Sequence, residues 1–594
     1  MKTDILILDS GVSIEHEVLN NGNIQFLFGK QHDNDQNGHG TAVTAILHKH
    51  TPGAHITVGR MLDSSGECTQ ESLLEYLKYI YQHIECKVLH LSLGIREDSK
   101  ELYNLCHLIF ERGTIIVAAF DNAGGISYPA AYSFVIGVDG SSRCRKADDF
   151  VFVKNSVVNI KAKSGIQRLA WLNNSYVIAQ GTSFASAYVS AYILNKWECT
   201  RGDYQSILQN FRDIARFTYD FDPMYGNEKK DNLNFIHRAA AFPYNKEIHG
   251  IYHFQDMLTF DLVKVYDIKY SGNIGKKIES FDGKHNELIC NIEEITNEEI
   301  DTLIIGHVAE LESIVDYPIK KQILQLCLEK HINVFSYDNS AHDEFEEKFM
   351  MAGLNIASAV STLPLKVPNN FGKLFSPTAP VLGVFGTTSK QGKFTLQMEL
   401  RSRFLRDKYL VEQIGTEPSA QLFGMESYPF GYATDLGEES VGYDIIAKLN
   451  YMIHDIDLRN PDIILVGSQS GTAPMLFDNL GQFTLTQLVF LLGTLPDVVV
   501  LCVNYNEDIT YVERTINVIQ GVADSKVISL AIYPKYYKNG WQFANAHQTL
   551  ATEEELNQYA LILQDKFQIK TFPLNGSEYY EKLYQYCICY LAGG

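Results

Sequence analysis

Short apolar runs alternate with longer amphipathic stretches along the first part of this chain. Residues 3–8, Thr-Asp-Ile-Leu-Ile-Leu, form one such run, suited to a strand buried on both faces. Residues 55–62, 87–93 and 114–119 predict further strands, and residues 70–84 and 100–112 carry the spacing of helices with one apolar face. Strand and helix in alternation imply a parallel sheet with right-handed crossovers. Residues 204–217 and 232–242 predict two more helices, the second closing a first domain, with a charged and aromatic loop at 220–230 between them. Pro243-Tyr244-Asn245-Lys246 reads as the boundary.

The pattern continues beyond it. Residues 262–266, 300–306 and 332–338 are strand-like and 318–331 and 344–351 helical, a small Rossmann-like α/β domain. It contains no Gly-x-Gly-x-x-Gly, so a dinucleotide site is not indicated. Residues 380–385 then form a buried strand, followed by a glycine-bearing loop and a helix to about 409, with later strands at 462–466 and 497–502. The expected organisation is three α/β domains, 1–245, 246–377 and 378–594.

Composition narrows the classes. With 594 residues and 45% hydrophobic content the chain can bury several cores. A formal charge of −21 argues against a nucleic-acid partner, which requires a basic face. No apolar run approaches the ~20 residues of a membrane span. The ten cysteines are scattered without a Cys-x-x-Cys pair, which suits a reducing compartment. Met1-Lys2-Thr3-Asp4 runs directly into the first strand, so neither an export signal nor an N-terminal propeptide is expected, and the predicted location is cytoplasmic.

Three stretches carry chemistry. The first strand ends in Asp9-Ser10-Gly11, an acid at the C-terminal edge of a parallel sheet, where sites form. Asn37-Gly38-His39-Gly40-Thr41 places a histidine at the start of a small-residue helix. Gly181-Thr182-Ser183-Phe184-Ala185 places a serine at another helix start, where backbone N–H groups favour developing negative charge. Asp, His and Ser so placed can act as orienter, base and nucleophile. His90, inside a strand, reads as a satisfied core residue.

Together these motifs resemble those of the subtilisin-like serine proteases, over about the first 245 residues. The resemblance assigns catalysis to Asp9, His39 and Ser183. It assigns the oxyanion donor to Asn122, in Val117-Ala118-Ala119-Phe120-Asp121-Asn122-Ala123-Gly124. It assigns substrate pairing to Ser92-Leu93-Gly94 and a specificity-pocket position to Ser127, just before Tyr128-Pro129. Ala187 stands where the family usually has proline. The family's calcium loops are not recognisable, so no metal and no cofactor is expected for proteolysis.

Gly386-Thr387-Thr388-Ser389-Lys390-Gln391-Gly392-Lys393-Phe394-Thr395 has the strand–loop–helix setting of a phosphate cradle. It resembles the dethiobiotin-synthetase-like P-loop family, and a related group of bacterial proteins that join an α/β domain to such a loop. The resemblance implies a nucleotide site, ATP or GTP, at Gly386, Gly392, Lys393 and Thr395. Thr388 and the Gly467-Ser468 pair replace acids that help hold Mg²⁺ in that family, so binding is expected over hydrolysis.

The expectation is a cytoplasmic serine endopeptidase acting on a peptide or protein, with narrow specificity such as leader removal from a dedicated precursor peptide. The alternative is a binding or regulatory pseudoprotease whose P-loop-like module does the work.

Overall fold

The structure, a computed structural model, describes the chain except residues 21, 222–232, 279–284, 316, 339–341, 430–441, 479–482, 538–547 and 594. The expected loop at 220–230 therefore falls mostly outside the described residues. The chain divides into two compact units, one of Met1–Tyr225 with Lys366–Thr378 and one of Gly226–Leu365 with Ala379–Gly594. Among the described residues no helix is long and apolar enough to cross a membrane.

The first unit is built on a nine-stranded sheet. From one edge its strands are Phe217–Asp220, Val151–Lys154, Ile160–Lys163, Ile136–Ser141, Ile115–Ala119, Glu85–Leu91, Lys2–Asp9, Ile56–Arg60 and Ile24–Phe26. All neighbours run parallel except Val151–Lys154 against Ile160–Lys163. Lys2–Asp9 sits inside the sheet, and Ile5 to Leu8 are wholly buried, as an unbroken apolar run requires.

The helices start where polar caps allow. Thr69 accepts the Ser72 N–H ahead of Gln70–His83, and Ser99 accepts the Leu102 N–H ahead of Lys100–Glu111. Such a cap stabilises a helix by about 1 kcal/mol. Leu73, Leu77 and Ile80 then bury one face of the first of these helices. Helix Thr182–Asn195 is different: Ala185, Ser186, Ala187, Val189 and Ser190 are buried on every side. Small side chains let it run through the core rather than over it.

The second unit holds two parallel sheets. One has strands Cys290–Asn291, Asp261–Asp267, Arg238–Phe242, Thr302–Ile305, Asn333–Ser336 and Ile356–Ser358, in that order. Here the structure corrects two expectations. Residues 238–242 form a strand, not the end of a helix, and the strand belongs to this sheet rather than to the first domain. Ala239-Ala240-Ala241 favours a helix locally, but pairing on both sides with all three alanines fully buried overrides propensity. Likewise residues 204–217 split into helix Tyr204–Ile214 and edge strand Phe217–Asp220. The other sheet orders Glu426–Ser427, Val411–Gly415, Ile463–Gly467, Val381–Gly386, Val498–Asn504, Lys526–Tyr533 and Lys570–Pro573. Val381–Gly386 is its central strand and delivers the glycine loop to the start of helix Lys393–Arg406.

Candidate active site

Asp9 closes the first strand and is completely buried. Its Oδ1 lies 2.8 Å from Nδ1 of His39 and also accepts the Ser10 N–H at 2.7 Å. Among the described residues its Oδ2 has no hydrogen-bond partner. Burial pushes the carboxyl upward, but the charge of His39 and its hydrogen bond outweigh this and hold Asp9 below its ordinary range. For His39 burial opposes the charged ring, and the Asp9 charge, the Asp9 hydrogen bond and the charge of Asp35 overcome it, so the imidazole is raised. The His39 side chain remains 23% exposed, enough for a substrate to reach it.

His39 opens helix His39–His50 behind Gly38, whose φ of +108° suits glycine. A Cβ on Gly38 would lie 2.2 Å from the Trp171 ring, so the turn is also sterically closed to other residues. Asp35, buried four residues before the histidine, organises this turn. It accepts from the Asn37 and Gly38 N–H groups, from the Thr41 N–H and hydroxyl, and from the Ser10 hydroxyl. Asp35 lies outside the motif residues named from the sequence. The signal was there: an Asp ahead of Asn-Gly at a helix start is placed to cap it.

Ser183 sits in the first turn of helix Thr182–Asn195. Its hydroxyl donates to the Ser92 carbonyl at 3.2 Å and not to His39. The structure thus joins Asp9 to His39 directly and Ser183 to the Ser92–Gly94 segment. Asn122 is exposed, and its Oδ1 accepts both the Thr182 N–H at 2.9 Å and the Thr182 hydroxyl at 3.1 Å. That fixes the amide beside the start of the Ser183 helix and leaves its Nδ2 without a partner among the described residues.

Leu93 is buried, and the absent side chain of Gly94 makes room for Ser127: a Cβ there would be 2.8 Å from the Ser127 hydroxyl oxygen. Ser127 is itself buried and accepts the Asp121 N–H at 3.1 Å. Its hydroxyl serves the loop internally. His90 is the core residue expected, bonded to Ser190 at 2.9 Å through Nδ1 and to Ser92 at 2.7 Å through Nε2, with burial pulling it down to about 4.

The glycine loop of the second unit borders a separate cleft of about 660 Å³. Gly386 ends the strand, Gly392 has a φ of +69° with the Tyr533 ring packed against it, and Thr395 lines the cleft. Lys393 is buried, donates to the Thr388 carbonyl at 2.6 Å, and is pulled down by burial to about 8. Ser468 is buried on the same cleft with a hydroxyl that has no partner among the described residues. Two acids not foreseen from the motif stand near Lys393, Glu417 and Glu507. Glu507 accepts the Thr387 hydroxyl at 2.7 Å and is raised by burial.

Comparison with known proteins matches residues 2–200 to the model of the Subtilase family. The minor extracellular protease Epr of Bacillus subtilis (strain 168) is 29% identical over 199 residues, 32% of this chain and 30% of Epr. This chain thus spans under a third of Epr's length. Subtilisin DY of Bacillus licheniformis is 29% identical over 210 residues, 32% of this chain and 76% of that protein. A cold adapted subtilisin-like serine proteinase of known structure matches at 20% identity with a TM-score of 0.31, covering 35% of this chain and 81% of that one, too low a score to carry an argument. The family match falls on the part of the chain that holds Asp9, His39, Asn122 and Ser183: residues 2–200 are a subtilase domain.

Proposed function

We propose that this protein cleaves peptide bonds with Ser183 as nucleophile, His39 as general base and then acid, and Asp9 as the group that orients His39 and stabilises its charged form. Asn122 Nδ2 and the Ser183 N–H are the oxyanion donors. The observation that carries the reading is the buried Asp9 carboxylate 2.8 Å from His39, whose ring lies 5.4 Å from that of Phe184, the residue after Ser183 at the start of a buried helix. Catalysis requires the Ser183 hydroxyl to leave the Ser92 carbonyl for His39, an adjustment that fits the loose catalytic hydrogen bonds of unliganded enzymes. Labelling with a fluorophosphonate tests this. Stoichiometric reaction at Ser183 is expected, and none would leave a pseudoprotease.

Location and substrate belong to the same proposal. Ten unpaired cysteines support a reducing, cytoplasmic setting. A protease there needs restricted access, and the large second unit is suited to binding part of a dedicated precursor peptide, converting remote binding into specificity. Leader removal is the role we favour. Cleavage of a genomically linked precursor well above casein by the full chain checks it.

A second reading concerns the cleft of the second unit. A buried lysine, the N–H groups opening helix Lys393–Arg406 and the Ser468 hydroxyl, unpartnered among the described residues, together support binding of a phosphorylated ligand such as ATP or GTP. Isothermal titration at millimolar nucleotide decides it.

A further inference from the structure

Residues 366–378 follow the first sheet of the second unit in sequence, yet they pack within the first unit. The segment has no helix or strand of its own. It is held by specific bonds instead. Asn370 is buried, and its Oδ1 accepts from the Ser156 hydroxyl at 3.2 Å and the Val157 N–H at 3.4 Å. Phe371 packs edge-on to Tyr219 and lies under the Lys161 ammonium, 3.9 Å from its ring centre.

The middle of the segment grips one loop. The Lys373 ammonium is buried, 3.7 Å from Asp139 and 5.3 Å from the Phe120 ring centre, and interacts with the charge of Asp121. The next residue, Leu374, accepts the Ile126 N–H at 3.1 Å through its carbonyl. The two contacts therefore fall at opposite ends of residues 120–127. That loop carries Asn122 and Ser127, and its inner hydrogen bond, Asp121 N–H to Ser127, closes it from within. On its exposed side Arg96 holds Asp121 through two bonds, at 2.9 and 3.0 Å.

We propose that residues 366–378 are a positioning strap of the peptidase site, in which Lys373 and the Leu374 carbonyl hold the loop that presents Asn122 and packs Ser127 against Gly94. The proposal rests on the reading of the first unit as a working peptidase. Oxyanion donors act by being fixed before charge develops, so a loop free to drift by an ångström loses turnover. The strap supplies that fixation from a part of the chain more than two hundred residues away in sequence. It also makes the choice of substrate residue beside Gly94 depend on a segment outside the family-matched region.

Full-length Lys373→Met and Lys373→Arg test it. Asp139 keeps Lys161 at 3.1 Å in the Met variant, so no buried carboxylate is orphaned. Hydrogen exchange of the peptide spanning 120–128 reads the hold directly. In Lys373→Met the Ile126 amide should exchange at least about tenfold faster, and in Lys373→Arg near the wild-type rate. Over a series of peptides varied at the residue before the scissile bond, kcat/KM should fall about 10- to 100-fold in Lys373→Met. The loss should lie mostly in kcat, preference among substrates should flatten, labelling stoichiometry should be unchanged, and Arg should restore activity. Asn370→Ala serves the same comparison if the Met variant does not fold. Unchanged exchange, or faster exchange with unchanged kinetics and preferences, overturns the strap. A wild-type chain that neither labels nor cleaves overturns the peptidase reading, and with it the catalytic use of the strap, while the exchange data still report the hold.

Discussion

Nδ1 of His39 lies 2.8 Å from Oδ1 of Asp9, a carboxylate with no solvent exposure and, among the described residues, only one of its two oxygens bonded. The pairing sets a pH dependence. His39 must be neutral to accept the Ser183 proton, and it is held above the ordinary imidazole value of about 6.5. So kcat/KM should rise with pH to a midpoint above about 6.5. Asp9→Asn should move that midpoint down and cut kcat by roughly 10⁴. Stability has the opposite sign for the histidine. Its contribution is complete below about 6.5 and is lost as pH rises through the higher folded value, whereas that of Asp9 is complete above about 3.9 and is lost as pH falls through its lower folded value. Thermal melts of wild type and Asp9→Asn across pH check this.

Ser183→Ala should abolish fluorophosphonate labelling and peptide turnover while leaving the melting temperature within a few degrees. Asn122→Ala should keep the label and lose about 10²–10³ in kcat, because the oxyanion loses one donor. Equal turnover by Ser183→Ala and wild type, with contaminants excluded, would falsify the nucleophile assignment.

Asp35→Ala should damage the site through its scaffold. It leaves the Gly38 and Thr41 N–H groups and the Ser10 hydroxyl without their acceptor. Each buried unsatisfied group costs about 1–3 kcal/mol. Denaturant unfolding should show a loss of several kcal/mol, with kcat reduced in whatever remains folded, and Asp35→Asn should lie between Ala and wild type. A variant as stable as wild type would remove Asp35 from this role.

Lys393→Met should weaken nucleotide binding in the cleft of the second unit and leave cleavage of a small chromogenic peptide nearly unchanged. Because burial brings the ammonium down to about 8, binding should fall as pH rises past about 8, well before an exposed lysine would lose its proton. Titrations at pH 7 and 9 separate the cases, and affinity equal at both would count against Lys393 as the anion contact.

What the sequence settled by itself was local. Asp9 at a strand end, His39 behind Gly38 and Ser183 behind Gly181 are each set by a few adjacent residues, so motif and secondary structure were legible together. The strand–loop–helix around Lys393 was legible for the same reason. The tertiary structure decided whatever depends on partners distant in sequence. Arg238–Phe242 becomes a strand because buried neighbours on both sides outweigh the helical preference of its alanines. Glu507 meets Thr387 across 120 positions, and Leu374 meets Ile126 across a still longer separation. A buried hydrogen bond or charge pair is selected by where folding brings the groups, and no local periodicity records that choice. Even within the motif region, the single bond that leaves Ser183 on the Ser92 carbonyl instead of His39 is a matter of packing between a helix and a strand end that the sequence does not encode side by side.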